Sequence, residues 1–187
     1  AYIQLHFFGH FLTMSRNSDS HPITVSIILS HPGNFCLSYC PGKNVTPDGI
    51  VWRRSLEKDL NRLKEKFEIH VIVCLLSEAE LRSLGVPRNY FELAVNKGFK
   101  LRAFPIIEMA PPDSLDETAA LVEDIWAGIQ RGENWLAHCR GGTLNAELCR
   151  LALRNSYHGL RSLAPLLTLY PKPGQQAIKA HCPSKQC

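Results

Sequence analysis

The sequence has no acidic residue after Glu147, no apolar run of membrane-spanning length, and no dense or regular array of cysteines. Each absence excludes something. A transmembrane helix needs about 20 consecutive apolar residues. The uncharged apolar stretch at residues 1–13 is shorter, lacks a basic segment before it and runs into polar MSRNSDS, so neither a bilayer span nor a signal peptide is expected. Residue 1 is Ala and the first methionine is Met14, so residues 1–13 are expected to be an upstream extension outside the natural product. The seven cysteines, at positions 36, 40, 74, 139, 149, 182 and 187, are odd in number and irregularly spaced, unlike a small secreted disulfide scaffold. A reducing intracellular compartment, cytoplasmic or nuclear, is the expectation. Each cysteine is then read as chemistry or as core.

The chain has 187 residues, 45% hydrophobic and 20% charged, which excludes chain-wide disorder. A folded chain of this size buries roughly 70% of the surface its unfolded form exposes, enough for a core without disulfides. Charge is distributed unevenly. Residues 1–147 carry 15 basic against 17 acidic side chains, a balance of −2, whereas residues 148–187 carry six basic and no acidic ones. Aromatic residues do not interleave with those basic ones as a stacking platform for nucleic acid requires, so the tail reads as solvated. Neither a nucleic-acid nor a membrane partner is expected.

From Ile23 onward strand and helix patterns alternate. Residues 23–29 and 35–39 are β-rich runs. Leu56, Leu60, Leu63 and Phe67 recur at helical spacing behind the N-cap candidate Ser55, and residues 69–76 (IHVIVCLL) read as a strand buried on both faces. Ser77 with Glu80 has capping-box spacing before a short helix stopped by Gly85 and Pro87. Residues 89–97 read as helix and 99–104 as strand. Ser114 with Glu117 opens a helix that puts Leu121, Ile125, Trp126 and Ile129 on one stripe and stops at Gly132. Strand 134–138 and a helix from Leu144 to about Arg154 follow. The pattern specifies an α/β fold with a mostly parallel central sheet and helices on both faces. The expected organisation is an N-terminal extension over residues 1–21, one domain over 22–155, and a basic, proline-containing tail over 156–187.

In such sheets ligands bind beyond the carboxyl ends of the strands. WLAHCRGGTLNAEL runs from an apolar strand through His138 and Cys139 to a glycine-containing loop and a helix start. Cys139 is thereby expected below a helix N-terminus, whose backbone N–H groups and dipole gather an anion and favour the thiolate, the reactive form of cysteine. The backbone of Arg140, Gly141, Gly142, Thr143 and Leu144 supplies the candidate anion-binding groups.

The loop resembles the signature of cysteine-dependent protein phosphatases, His-Cys, five residues, Arg, then Ser or Thr. The His-Cys-Arg-Gly-Gly half matches, but Asn145 stands at the arginine position and Ala146 at the hydroxyl position. CPGK, RRSLEKDLNRLKE, VIVCLLSEAEL, LGVP, FPI and HCRGG, in this order and spacing, are similar to the cyclin-dependent kinase-associated phosphatase group of the dual-specificity phosphatases, over about residues 22–142. That resemblance implies a tyrosine-phosphatase-like three-layer fold, a phosphorylated protein substrate with a cyclin-dependent kinase as a candidate partner, and no cofactor or metal. It makes Cys139 the nucleophile and His138, Arg140, Gly141, Gly142, Thr143, Leu144 and Asn145 the phosphate-binding positions. Its general acid follows a Pro-Ile-x motif, which here leads to Glu108, with Asp113 as the fallback.

PGKN at residues 41–44 is not a nucleotide loop, since Leu37 and Asn44 replace the Gly and Ser or Thr it needs. Cys36, Cys40, His181, Cys182 and Cys187 fit no standard zinc spacing. Cys74 and Trp126 read as core. Arg140 is expected to point outward, and Arg150, five residues beyond Asn145, is no ready replacement for the missing arginine. Three functions remain: an active phosphatase whose sequence is altered after Gly142 by a frameshift, retained intron or alternative exon; a pseudophosphatase that binds phosphorylated partners; and a rhodanese-like sulfurtransferase. The third is disfavoured by the PGK, LGVP and FPI segments.

Overall fold

The computed structural model describes residues 16–44, 52–107 and 113–141. Seven strands and four helices lie along them: β1 (Arg16–Asn17), β2 (Ser26–His31), β3 (Gly33–Tyr39), β4 (Trp52–Arg53), α1 (Leu56–Glu65), β5 (Val71–Cys74), α2 (Glu78–Ser83), α3 (Tyr90–Asn96), β6 (Lys100–Ala103), α4 (Leu115–Gln130) and β7 (Trp135–Cys139). The central sheet has the order β2-β3-β7-β5-β6. β3, β7, β5 and β6 are parallel, and β2 is an antiparallel edge.

Period-two alternation divides the core into two layers. Phe35, Leu37, Val71, Val73, Trp135, Ala137 and Cys139 point to one face, where Leu121, Val122, Ile125 and Ile129 of α4 cover them. Cys36, Ile72, Cys74 and Leu136 point to the other, against Leu56, Leu60 and Leu63 of α1, Leu81 of α2 and Tyr90 and Ala94 of α3. Because β7 and β5 are sandwiched, all their residues are buried. This explains their unbroken apolar runs.

The helix starts follow their capping residues. Ser55 Oγ accepts from Lys58 N, Ser114 Oγ accepts from Glu117 N, and Ser77 with Glu80 forms the full reciprocal box. α4 ends at Gly132, whose φ of +87° closes the turn that leads into β7.

Two local expectations differ from the structure. The edge strand begins at Ser26, three residues after the β-rich run starts, because Ile23 is fully buried beside α1, where its carbonyl accepts from Arg62 Nε. The ladder is then interrupted by a bulge between Ile27 and Leu29. The two-residue pair β1–β4 is too short to show periodicity. It ties Arg16 and Asn17 to Trp52 and Arg53, and Ser18 Oγ donates to Asp59 Oδ1 at 2.9 Å, so residues 16–18 lie against α1. Among the described residues no helix is long and apolar enough to cross a membrane.

Candidate functional site

The parallel strands end on one rim. There β3 passes into residues 40–44, β5 into 75–77, β6 into 104–107 and β7 into Arg140 and Gly141. Cys139 is the last residue of β7, the middle strand of the five, and lies opposite Tyr39 of β3 in the ladder. It is 5% exposed, packed on the α4 face with Ala137. Gly141, two residues on, is exposed. Contrary to the outward placement expected for Arg140, that residue is half-buried and its Nε is shielded from solvent.

The alternation that sends Cys139 to one face sends His138 to the other. Its ring is fully buried and its Nε2 lies 2.7 Å from the Tyr90 hydroxyl. Burial pushes the imidazole pKa down to about 3, so the ring is neutral. Burial also raises the Tyr90 phenol well above its ordinary value, and the neighbouring Cys74 and Cys40 thiols reinforce this. Tyr90 therefore keeps its proton, and the phenol and the neutral imidazole share one buried hydrogen bond. The His138 side chain lies beneath the strand end, on the face opposite the Cys139 side chain.

Cys36, Cys40 and Cys74 are buried free thiols. Desolvation raises Cys36 and Cys74 to about 11 and Cys40 well above the ordinary thiol value. All three are thus held as inert thiols. Cys74 is core, as its apolar strand implied. His181, Cys182 and Cys187 lie outside the described residues. Among those described, no group of three metal-capable side chains converges.

The loop after β3 is clamped beside Cys139 by groups that sequence reasoning did not single out. Arg54 and Asp59 form a buried two-pronged ion pair, Nε to Oδ2 at 2.8 Å and Nη2 to Oδ1 at 2.7 Å. Asp59 Oδ2 also accepts from Gly42 N at 2.9 Å. Gly42 has φ +70°, and a Cβ there would come within 2.8 Å of Leu56 Cβ, so only glycine fits. Asn44 Oδ1 accepts from Arg54 N at 2.7 Å. From this anchored loop Lys43 Nζ reaches across to donate to the Arg140 carbonyl at 3.3 Å. The available signal was Asp59 itself, an acid lying within the Leu56, Leu60, Leu63 stripe, where only a paired carboxylate can be buried.

Asp113 is exposed, just before the α4 N-cap Ser114. Glu108, Gly142, Thr143, Leu144, Asn145 and Ala146 lie outside the described residues. The strand leading toward Glu108 is nonetheless anchored at the rim, since Phe104 N donates to the Cys74 carbonyl and Ile106 N to that of Leu75.

Solved structures of phosphatases share this fold. One is a crystal structure of kinase associated phosphatase with its catalytic-site cysteine substituted by serine: TM-score 0.59, 23% identity, covering 70% of this chain and 71% of that one. The chain has a phosphatase-like fold. A second, Tk-PTP in its active form, matches with TM-score 0.53 and 19% identity over 78% of this chain and 81% of that one. No family model matches the sequence, and no curated protein does. The likeness to the phosphatase fold is therefore carried by structure, and it agrees with the three-layer, mostly parallel architecture expected from the pattern of elements.

Proposed function

We propose that the chain is a cysteine-dependent protein phosphatase of the dual-specificity type, acting on phosphotyrosine, phosphoserine or phosphothreonine in a protein substrate, with slow turnover in the chain as it stands. The observation that carries this reading is the position of Cys139. It is the last residue of the middle strand of a phosphatase-fold sheet, followed at once by Arg140 and exposed Gly141. In the reaction the Cys139 thiolate attacks phosphorus and the phosphate-ester bond breaks. The leaving oxygen takes a proton from Glu108 or, failing that, Asp113. Water then attacks the cysteinyl-phosphate, breaking the S–P bond and releasing inorganic phosphate with the thiolate restored. No metal or cofactor enters these steps. By resemblance, a cyclin-dependent kinase is a candidate partner, in the cytoplasm or nucleus.

Asn145 and Ala146 support a second reading, a pseudophosphatase that holds phosphorylated partners without turnover. Arginine clamps two phosphate oxygens in parallel and meets the charge that moves during transfer, whereas asparagine is short and neutral. By analogy with arginine fingers, its absence costs on the order of 10³ to 10⁵ in rate. The deciding assay is hydrolysis of phosphotyrosine and phosphothreonine peptides by the parent and by Asn145→Arg/Ala146→Ser. A rise of at least about 10² is expected. A double variant that folds and stays as slow as the parent would refute the enzymatic reading, and phosphopeptide binding without hydrolysis would then establish the second.

A further inference from the structure

Lys43 belongs to the PGKN segment, which has no nucleotide-binding pattern and no part in the chemistry above. Its surroundings give it one. The segment is held at Gly42 by Asp59, which is itself locked to buried Arg54, and at Asn44 by the Arg54 backbone N–H. The Lys43 ammonium lies 4.9 Å from the centroid of the Tyr39 ring, and Tyr39 is the ladder partner of Cys139. Beneath Tyr39 the column continues with Arg54 at 4.9 Å from the same ring and 5.5 Å from Trp52. The half-buried lysine thus leaves a rigid support and donates to one backbone atom of the cysteine loop, the Arg140 carbonyl, at 3.3 Å.

That contact has a geometric consequence. In a trans peptide the C=O and the following N–H point in opposite directions. Holding the Arg140 carbonyl toward Lys43 turns the Gly141 N–H the other way, toward the side of the loop away from residues 40–44. We infer that Lys43 is a positioning residue, which fixes the Arg140–Gly141 peptide so that the Gly141 N–H is presented to the anion bound above Cys139. Gly141 has no side chain to set its own orientation, so the peptide depends on an outside anchor. Lysine suits the role because an ammonium–carbonyl hydrogen bond is stronger than a neutral one. The inference rests on the proposed anion site at Cys139.

The test uses the full chain with Cys149→Ala, so that labelling reports Cys139, and orthovanadate as the anion probe. The vanadate concentration that halves iodoacetamide labelling of the Cys139 peptide is read by mass spectrometry. Lys43→Met should raise that concentration about tenfold with the thermal midpoint unchanged, and Lys43→Arg, which keeps a charged donor, should restore it. The deficit of Lys43→Met should persist at about 1 M salt, where the Debye length falls to about 3 Å and a bare charge effect is screened. A deficit that vanishes in salt would overturn the positioning role, as would an unchanged vanadate requirement in Lys43→Met. Failure of the parent itself to be protected would overturn the anion site and this inference with it. Should Lys43→Met lower the midpoint, Lys43→Gln, a neutral donor of shorter reach, must fall between Met and Arg, and equality with Met would refute the idea.

Discussion

Acid should weaken this fold through one residue, His138. Its ring is fully buried and neutral, with a pKa of about 3 against an ordinary value of 6.5. In the unfolded chain the imidazole takes up a proton as pH falls through about 6.5, while the folded ring does not until about 3. The unfolded state therefore binds more protons in that window, and stability falls as pH drops. Between pH 7 and pH 5 the two values give a loss of about 2 kcal/mol from this group, a sizeable part of a typical domain's 5–15 kcal/mol. Tyr90, Cys40 and Cys74 around it have raised values and stay protonated throughout, so they add nothing to the slope. The assay is urea unfolding at both pH values for the parent and for His138→Gln, which replaces the imidazole with a group that does not titrate. The parent should lose about 2 kcal/mol more than the variant over the interval. Equal losses in the two proteins would refute the reasoning.

In the Asn145→Arg background, Glu108→Gln should slow a phosphotyrosine peptide strongly and an activated aryl phosphate only slightly, with Asp113→Asn nearly neutral; leaving-group dependence in Asp113→Asn instead would move the proton donor to that position. Arg54→Met leaves the buried Asp59 carboxylate without its cation and should cost about 3–5 kcal/mol in denaturant unfolding, and a loss below about 1 kcal/mol would show that the pair contributes little.

Much of the fold was legible because it follows from local rules. The Ser55, Ser77 and Ser114 caps, the α1 and α4 stripes and the unbroken apolar run of β5 each state their structure within about ten residues. Cys139 at a strand end was legible for the same reason: an apolar strand runs through His138 and Cys139 to Arg140 and two glycines. What stayed hidden depends on contacts between distant segments. Tyr90 reaches His138 across 48 positions, and Lys43 reaches Arg140 across 97. Neither has a periodic or spacing signature. Burial of His138 on the face opposite Cys139 was implied by strand alternation, although the motif sets the two side by side in sequence. The exposed Ile27 and Ile28 mislead in the opposite way, since an apolar β-rich run does not reveal that it forms a sheet edge.

The central proposal is that Cys139 is the reactive cysteine of an anion-binding site, and competitive alkylation tests it most directly. The Cys149→Ala chain is treated with limiting iodoacetamide, with and without vanadate or inorganic phosphate, and each cysteine peptide is quantified by mass spectrometry. The account predicts that Cys139 labels ahead of the buried thiols Cys36, Cys40 and Cys74 and that both anions protect it. Labelling of Cys139 at the slow pace of those core thiols, unchanged by either anion, would contradict it.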